Sequence, residues 1–114
     1  MDEKIVENAM QIIMYAGDAR LFCKNAIDCI TAGDLDHAKV HMKEADAKIA
    51  AAHHIQTDCI QGATAGEEFE YNVLFTHAQD TLMTIYSEIN LTKQIIKLYE
   101  KTNERIEALE NKLK

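Results

Sequence analysis

Phe75-Thr76-His77-Ala78-Gln79-Asp80-Thr81-Leu82-Met83-Thr84 lies inside the longest helical pattern of a 114-residue chain. Through it runs a mainly apolar stripe, Phe75, Ala78, Leu82, Ile85, Ile89, Thr92, Ile96 and Tyr99, whose steps alternate three and four. That is the seam of a helix packed in a bundle. His77, two residues past Phe75, points about 200° away around the helix. Asp80, three residues further on, shares that far face. A second seam therefore runs Val73, His77, Asp80, Thr84, Ser87, Leu91. It keeps the spacing, but an imidazole, a carboxylate and hydroxyls interrupt it. A helix with two seams has more partners than a hairpin supplies. The pattern predicts an oligomer in which one seam closes the subunit and the other meets its neighbours.

The chain before this helix carries the same period twice more. Ile5, Ala9, Ile12, Ala16, Ala19, Cys23, Ala26 and Ile30 define a first helix over about residues 2–31. Half of those positions are alanine, so a neighbouring helix can come close. Gly17, mid-helix, costs about 1 kcal/mol against alanine, and the expected return is a still closer contact. Gly33 can take the left-handed position that ends the helix, and Asp34 can cap the next one. The second helix, about 34–63, places Leu35, Ala38, Met42, Ala45, Ile49, Ala52, Gln56, Cys59 and Ala63 on one face. Gln56 is the polar residue on that face and needs a hydrogen-bond partner if buried. Thr64 and Glu67 have the spacing of a capping box, which starts the third helix near 67 and lets it run to 113. Its last part, after about residue 101, is highly charged with a thin apolar stripe of Ile106, Leu109 and Leu113, and is expected to project or to coil with neighbours.

Two short turns joining three helices predict an all-α, antiparallel up-down-up three-helix bundle in a single domain over 1–114. With the second turn centred near Ala65, His53 and Gln56 fall level with His77. The absence of proline and the presence of only four glycines permit long helices. A net charge of -7 without a basic patch argues against nucleic acid and against an anionic membrane surface. No apolar run reaches membrane-spanning length, and Met1-Asp2-Glu3-Lys4 lacks a signal-peptide charge pattern, so direct membrane insertion is not expected. Cys23, Cys29 and Cys59 form no CxxC and read as reduced thiols in or near the core of a cytoplasmic protein.

The residues able to do chemistry are few. His77 beside Asp80 can act as acid/base, metal ligand or nucleophile; the plainer reading is a surface histidine with a solvated carboxylate. A trimer built on the second seam would bring three Asp80 carboxylates together, and like charges so placed need a cation or raised pKa values. Oxygen ligands suit Mg²⁺ or a similar hard ion. His37 and His41, one turn apart, have a spacing that can bind zinc, but no third strong ligand is fixed beside them and a polar outward face is the simpler account. His53 and His54 are adjacent, point about 100° apart, and cannot chelate one ion as a pair. A Glu-x-x-His pair on two helices, a glycine-rich phosphate loop and a nucleophile elbow are all missing.

Three separated stretches carry a resemblance. His77-Ala78-Gln79-Asp80-Thr81-Leu82-Met83-Thr84 resembles the active-site motif of the lactose/cellobiose-type IIA component of the bacterial phosphoenolpyruvate-dependent sugar phosphotransferase system. Ala16-Gly17-Asp18-Ala19-Arg20 is similar to that family's first-helix motif, and Ala52-His53-His54-Ile55-Gln56-Thr57 to its second. The resemblance spans about residues 3–101 in order and spacing. It implies a homotrimer of three-helix subunits, with His77 as the residue that carries a phosphoryl group. The histidine-containing phosphocarrier protein would donate the group, and a cysteine of the IIB component would receive it, with the membrane IIC component downstream. The resemblance places Asp80 of each subunit at the threefold axis, on a metal ion usually taken as magnesium. Thr81 stands where the family usually has a second histidine, leaving His77 the sole phosphoacceptor in the motif. Gln79, Thr76 and Thr81 are the candidate donors to the phosphoryl oxygens. The competing reading is a non-catalytic helical-bundle interaction protein.

Overall fold

The computed structural model describes residues 3–64 and 72–114. Three α-helices follow in order: α1 over Glu3–Thr31, α2 over Leu35–Thr64 and α3 over Val73–Leu113. Every residue of the α1 stripe is buried, from Ile5 to Ile30. So are Ala38, Met42, Ala45, Ile49, Ala52 and Gln56 of α2, and Phe75 through Ile96 of the α3 stripe. Leu35, Cys59 and Tyr99, at the seam ends, are half-buried against this core. The side chain of Ala63 lies outside the described residues.

The contact of α1 with α2 is the most extensive of the three, and that of α2 with α3 the least. The sequence gives the reason. Ala9, Ala16, Ala19 and Ala26 of α1 and Ala38, Ala45 and Ala52 of α2 are all buried, and such small side chains let two backbones come close, whereas α3 brings the bulkier Phe75, Leu82, Ile85 and Ile89. The α1–α2 turn is a Schellman motif. The Gly33 N–H donates to the Ile30 carbonyl at 3.0 Å and the Asp34 N–H to the Cys29 carbonyl at 2.8 Å, which satisfies carbonyls the helix end would leave bare. Gly33 has φ 81°, the conformation that favours glycine. Asp34 then caps α2, accepting from the His37 N–H at 3.1 Å.

The structure corrects two local expectations. Gly17 is exposed and has open space where a side chain would go, so no close approach depends on it within the protomer. The third helix starts at Val73 rather than near 67: Asn72 is extended (φ -141°, ψ 120°) and its side chain accepts from the Phe75 N–H at 3.1 Å. The Thr64–Glu67 capping box lies outside the described residues. A later start moves the α2–α3 register. Gln56 meets Gln79, and ion pairs join Asp46 to Lys93 and Lys39 to Glu100, two turns apart on both helices. His77 is therefore level with residues beyond Gln56, not with His53, which instead borders a shallow groove with Tyr86.

Beyond the bundle α3 continues as a single helix to Leu113, and nearly all of its last 14 residues are exposed. No described helix is long and apolar enough to cross a membrane.

Candidate functional site

The site begins at the cap. Asn72 is buried, and its side-chain carbonyl and main-chain carbonyl together hold the first turn of α3, the latter accepting from the Thr76 N–H at 3.0 Å. Counting from this cap, His77 stands in the second turn of a 41-residue helix. Side chains on a helix tilt toward its N-terminus, so the imidazole leans back over the first turn. There the aligned peptide dipoles give partial positive charge.

His77 and Asp80 are both exposed on the protomer. So are the other members of the second seam: Val73 at 71%, Leu91 at 62%, and Thr84 and Ser87 between them. The two faces of α3 foreseen in the sequence are thus physically distinct, one sealed against α1 and α2 and one open. Thr81, one turn past His77, is half-buried on the edge of the same face.

The remaining two candidates are differently engaged. The Thr76 hydroxyl donates to the Asn72 carbonyl at 3.2 Å, so it reinforces the cap. Gln79 lies opposite His77 on the helix, about 200° round, and its carbonyl accepts from the Gln56 amide at 3.2 Å. Within the protomer Gln79 ties α3 to α2 and stands on a different face of the helix from His77. This bond also answers the need of the buried Gln56, and no buried side-chain polar atom among the described residues lacks a partner.

Other candidates take structural places. His37 Nδ1 lies 2.6 Å from Asp34 Oδ2 at the start of α2, and His41 stacks obliquely on Phe22 with ring centroids 6.0 Å apart. Among the described residues no three His, Cys, Asp or Glu side chains of one chain converge as a metal site. All three cysteines are free thiols. Burial pushes the Cys23 thiol up from its ordinary value, and burial does the same to Cys59 against the opposing pull of the Asn8 amide. Both are poor nucleophiles near neutrality. Arg20, in the first-helix motif, makes a two-pronged bridge to Glu88 at 2.8 and 2.7 Å. This α1–α3 brace and the Asn72 cap were not singled out from sequence. An Asn just before an apolar-periodic run is a cap signal, here overshadowed by the capping-box spacing upstream; the brace has no local signal at all.

Comparison with known proteins agrees over nearly the whole chain. A family model described as the lactose/cellobiose-specific IIA subunit of the PTS system matches residues 7–100. The lichenan-specific phosphotransferase enzyme IIA component of Bacillus subtilis (strain 168) is 35% identical over 105 residues, covering 92% of this chain and 96% of that one. The crystal structure of the PTS cellobiose-specific enzyme IIA from Bacillus anthracis superposes with a TM-score of 0.84 at 35% identity, over 91% of this chain and 95% of that one. A chain in the solution structures of the IIA(chitobiose)–HPr complex, from the N,N′-diacetylchitobiose branch of the Escherichia coli phosphotransferase system, gives a TM-score of 0.77 at 29% identity, covering 90% and 99%.

Proposed function

The chain belongs to the lactose/cellobiose-specific IIA family and is a phosphotransferase component of the sugar phosphotransferase system, and on that premise we propose that His77 is the residue that carries its phosphoryl group. The observation that carries this reading is the placement of His77: exposed, one turn past a capped helix start, on the open face of α3.

Phosphoryl transfer asks the acceptor for position and charge stabilisation more than for covalent chemistry. A neutral imidazole nitrogen attacks phosphorus in line, the donor imidazole leaves, and the bond is later broken by a cysteine thiolate of the IIB component. Both partners are proteins, so the nitrogen must be reachable from a broad surface. HPr is the donor this reading assigns, consistent with the HPr complex formed by the IIA(chitobiose) protein. The phosphoryl group adds close to two negative charges. Leaning toward the α3 N-terminus, it meets partial positive charge there, and the Thr81 hydroxyl, one turn further on, is a candidate donor on the same face.

The open face of α3 supports assembly of three copies around an axis lined by Asp80. One chain supplies one such carboxylate, so a cation site needs all three. Their hard oxygen donors suit Mg²⁺ or a similar ion, which when bound would neutralise their mutual repulsion.

The test is phosphorylation in vitro. Incubation with phosphoenolpyruvate, enzyme I and HPr yields an acid-labile, base-stable phosphohistidine on the wild-type chain and none on His77→Ala, with the helical circular dichroism unchanged. A phosphorylated His77→Ala protein overturns the assignment. Failure of the wild type to accept phosphate points to a helical interaction protein without group transfer.

A further inference from the structure

Two rows of lysine border the cleft between α2 and α3. Lys39 and Lys43 stand one turn apart on α2, and Lys93, Lys97 and Lys101 follow at the same spacing on α3. All five are exposed. No local basic run announces them, because each helix supplies only part of the set and folding brings the parts together. They are five of the 12 basic residues in a chain whose net charge is -7. This end of the bundle is therefore charged against the rest of the molecule.

The cleft is only partly neutralised. Lys93 meets Asp46 at 2.8 Å and Lys39 meets Glu100 at 3.2 Å, which pins the two walls, while Lys101 turns to Glu104. Lys43 and Lys97 have no carboxylate partner among the described residues. Between the walls lies a hollow of about 260 Å³ over the buried side chains of Met42 and Ile96, so an apolar floor has a cationic rim. Like charges one turn apart on a helix repel and weaken it. Both helices carry that penalty here, and Lys97→Glu would turn two repulsions into two attractions. Helix stability does not account for the rows; a ligand of opposite charge does.

We propose that this cleft docks an acidic segment of a partner protein. Carboxylates of the segment pair with Lys43 and Lys97, and one apolar side chain enters the hollow over Met42 and Ile96. A flat anionic lipid surface does not reach a recessed floor, and it would meet Asp46 and Glu100 in the walls. Nucleic acid finds no aromatic ring or arginine among the lining residues on which a base could stack. Lys93 lies sixteen residues past His77, about 24 Å along the helix. A partner held here leaves the imidazole open, so docking and phosphoryl transfer are separate events.

Fluorescence anisotropy tests this, with the full chain and a short labelled peptide that carries glutamates one turn apart around a single leucine. Wild type binds the peptide saturably, and the affinity falls as salt rises. Lys43→Glu/Lys97→Glu weakens binding about tenfold or more, and it gains affinity for a peptide with lysines in place of those glutamates. The same variant melts no lower than wild type and accepts phosphate from HPr at the wild-type rate. No saturable binding by wild type, or equal binding by the charge-reversed variant, overturns the docking cleft. Binding confined to vesicles rich in anionic lipid assigns the lysines to a membrane surface, and the proposal falls. It falls equally if the variant melts well below wild type, which makes the rows structural, or if it accepts phosphate slowly, which makes the cleft part of the HPr site.

Discussion

At the scale of single residues, two short polar side chains set where helices begin, and one of them sets the conditions for His77. Asn72 decides where α3 begins, and so how near the imidazole stands to the positive end of the helix. Replacing it with alanine removes the cap and should cost about 1 kcal/mol of stability, within the usual range of about 0.5–2 for such caps. Urea unfolding measures this, and Asn72→Asp should retain most of it. An Asn72→Ala protein as stable as wild type would mean that something else holds the first turn. Asp34 plays the same part for α2. The His37 N–H that bonds its carboxylate, helped by the His37 ring and by the charges of His37 and His41, holds it below its ordinary value. The sign follows. With the folded pKa lowered, the contribution is fully present above the unfolded carboxylate pKa and is lost as pH falls through the lowered one. The gap in melting temperature between wild type and Asp34→Ala should therefore be flat near neutrality and shrink below about pH 4. A gap that persists undiminished in strong acid contradicts this.

At the scale of the helix, α3 works because its two faces have different tasks. Leu82, Ile85 and Ile89 are essentially without solvent contact on the inner face. Leu82→Ala, which leaves a cavity there, should destabilise the bundle by about 2–5 kcal/mol. Met83→Ala, one position on and 56% exposed, should move an isolated protomer by less than about 0.5 kcal/mol. Thermal or urea unfolding of the pair separates the faces; equal losses would contradict the two-sided helix. Much of this was legible beforehand, because a three-four alternation is a local property of the chain. The stripe of α1 appears in the structure residue for residue and that of α3 from Phe75 to Ile96, and the Gly33–Asp34 punctuation formed as written. The start of α3 was not legible, since two cap signals competed and the choice between them is not local. The level of His53 followed that start, so it moved as well.

At the scale of the whole molecule, the exposed seam and the acidic balance of the chain meet at Asp80. If three copies close around it, Asp80→Leu should give a folded trimer that melts higher than wild type without added metal, since buried like charges are gone. Mg²⁺ should raise the melting temperature of wild type and leave Asp80→Leu unmoved; a monomeric Asp80→Leu protein, or one still stabilised by Mg²⁺, would contradict the axial arrangement. The sequence by itself determined three amphipathic helices, their up-down-up order, which residues line the core, and that one face of the last helix carries an imidazole and a carboxylate apart from that core. It could do so because helical period and turn chemistry act over neighbouring residues. Only the tertiary structure decided that His77 sits one turn past a cap, that Gln79 is claimed by Gln56, that Arg20 braces Glu88 across the bundle, and that the second seam stays open along all of α3. Those outcomes depend on which side chains meet across helices far apart in the chain, and the spacing within any one helix carries no record of that register.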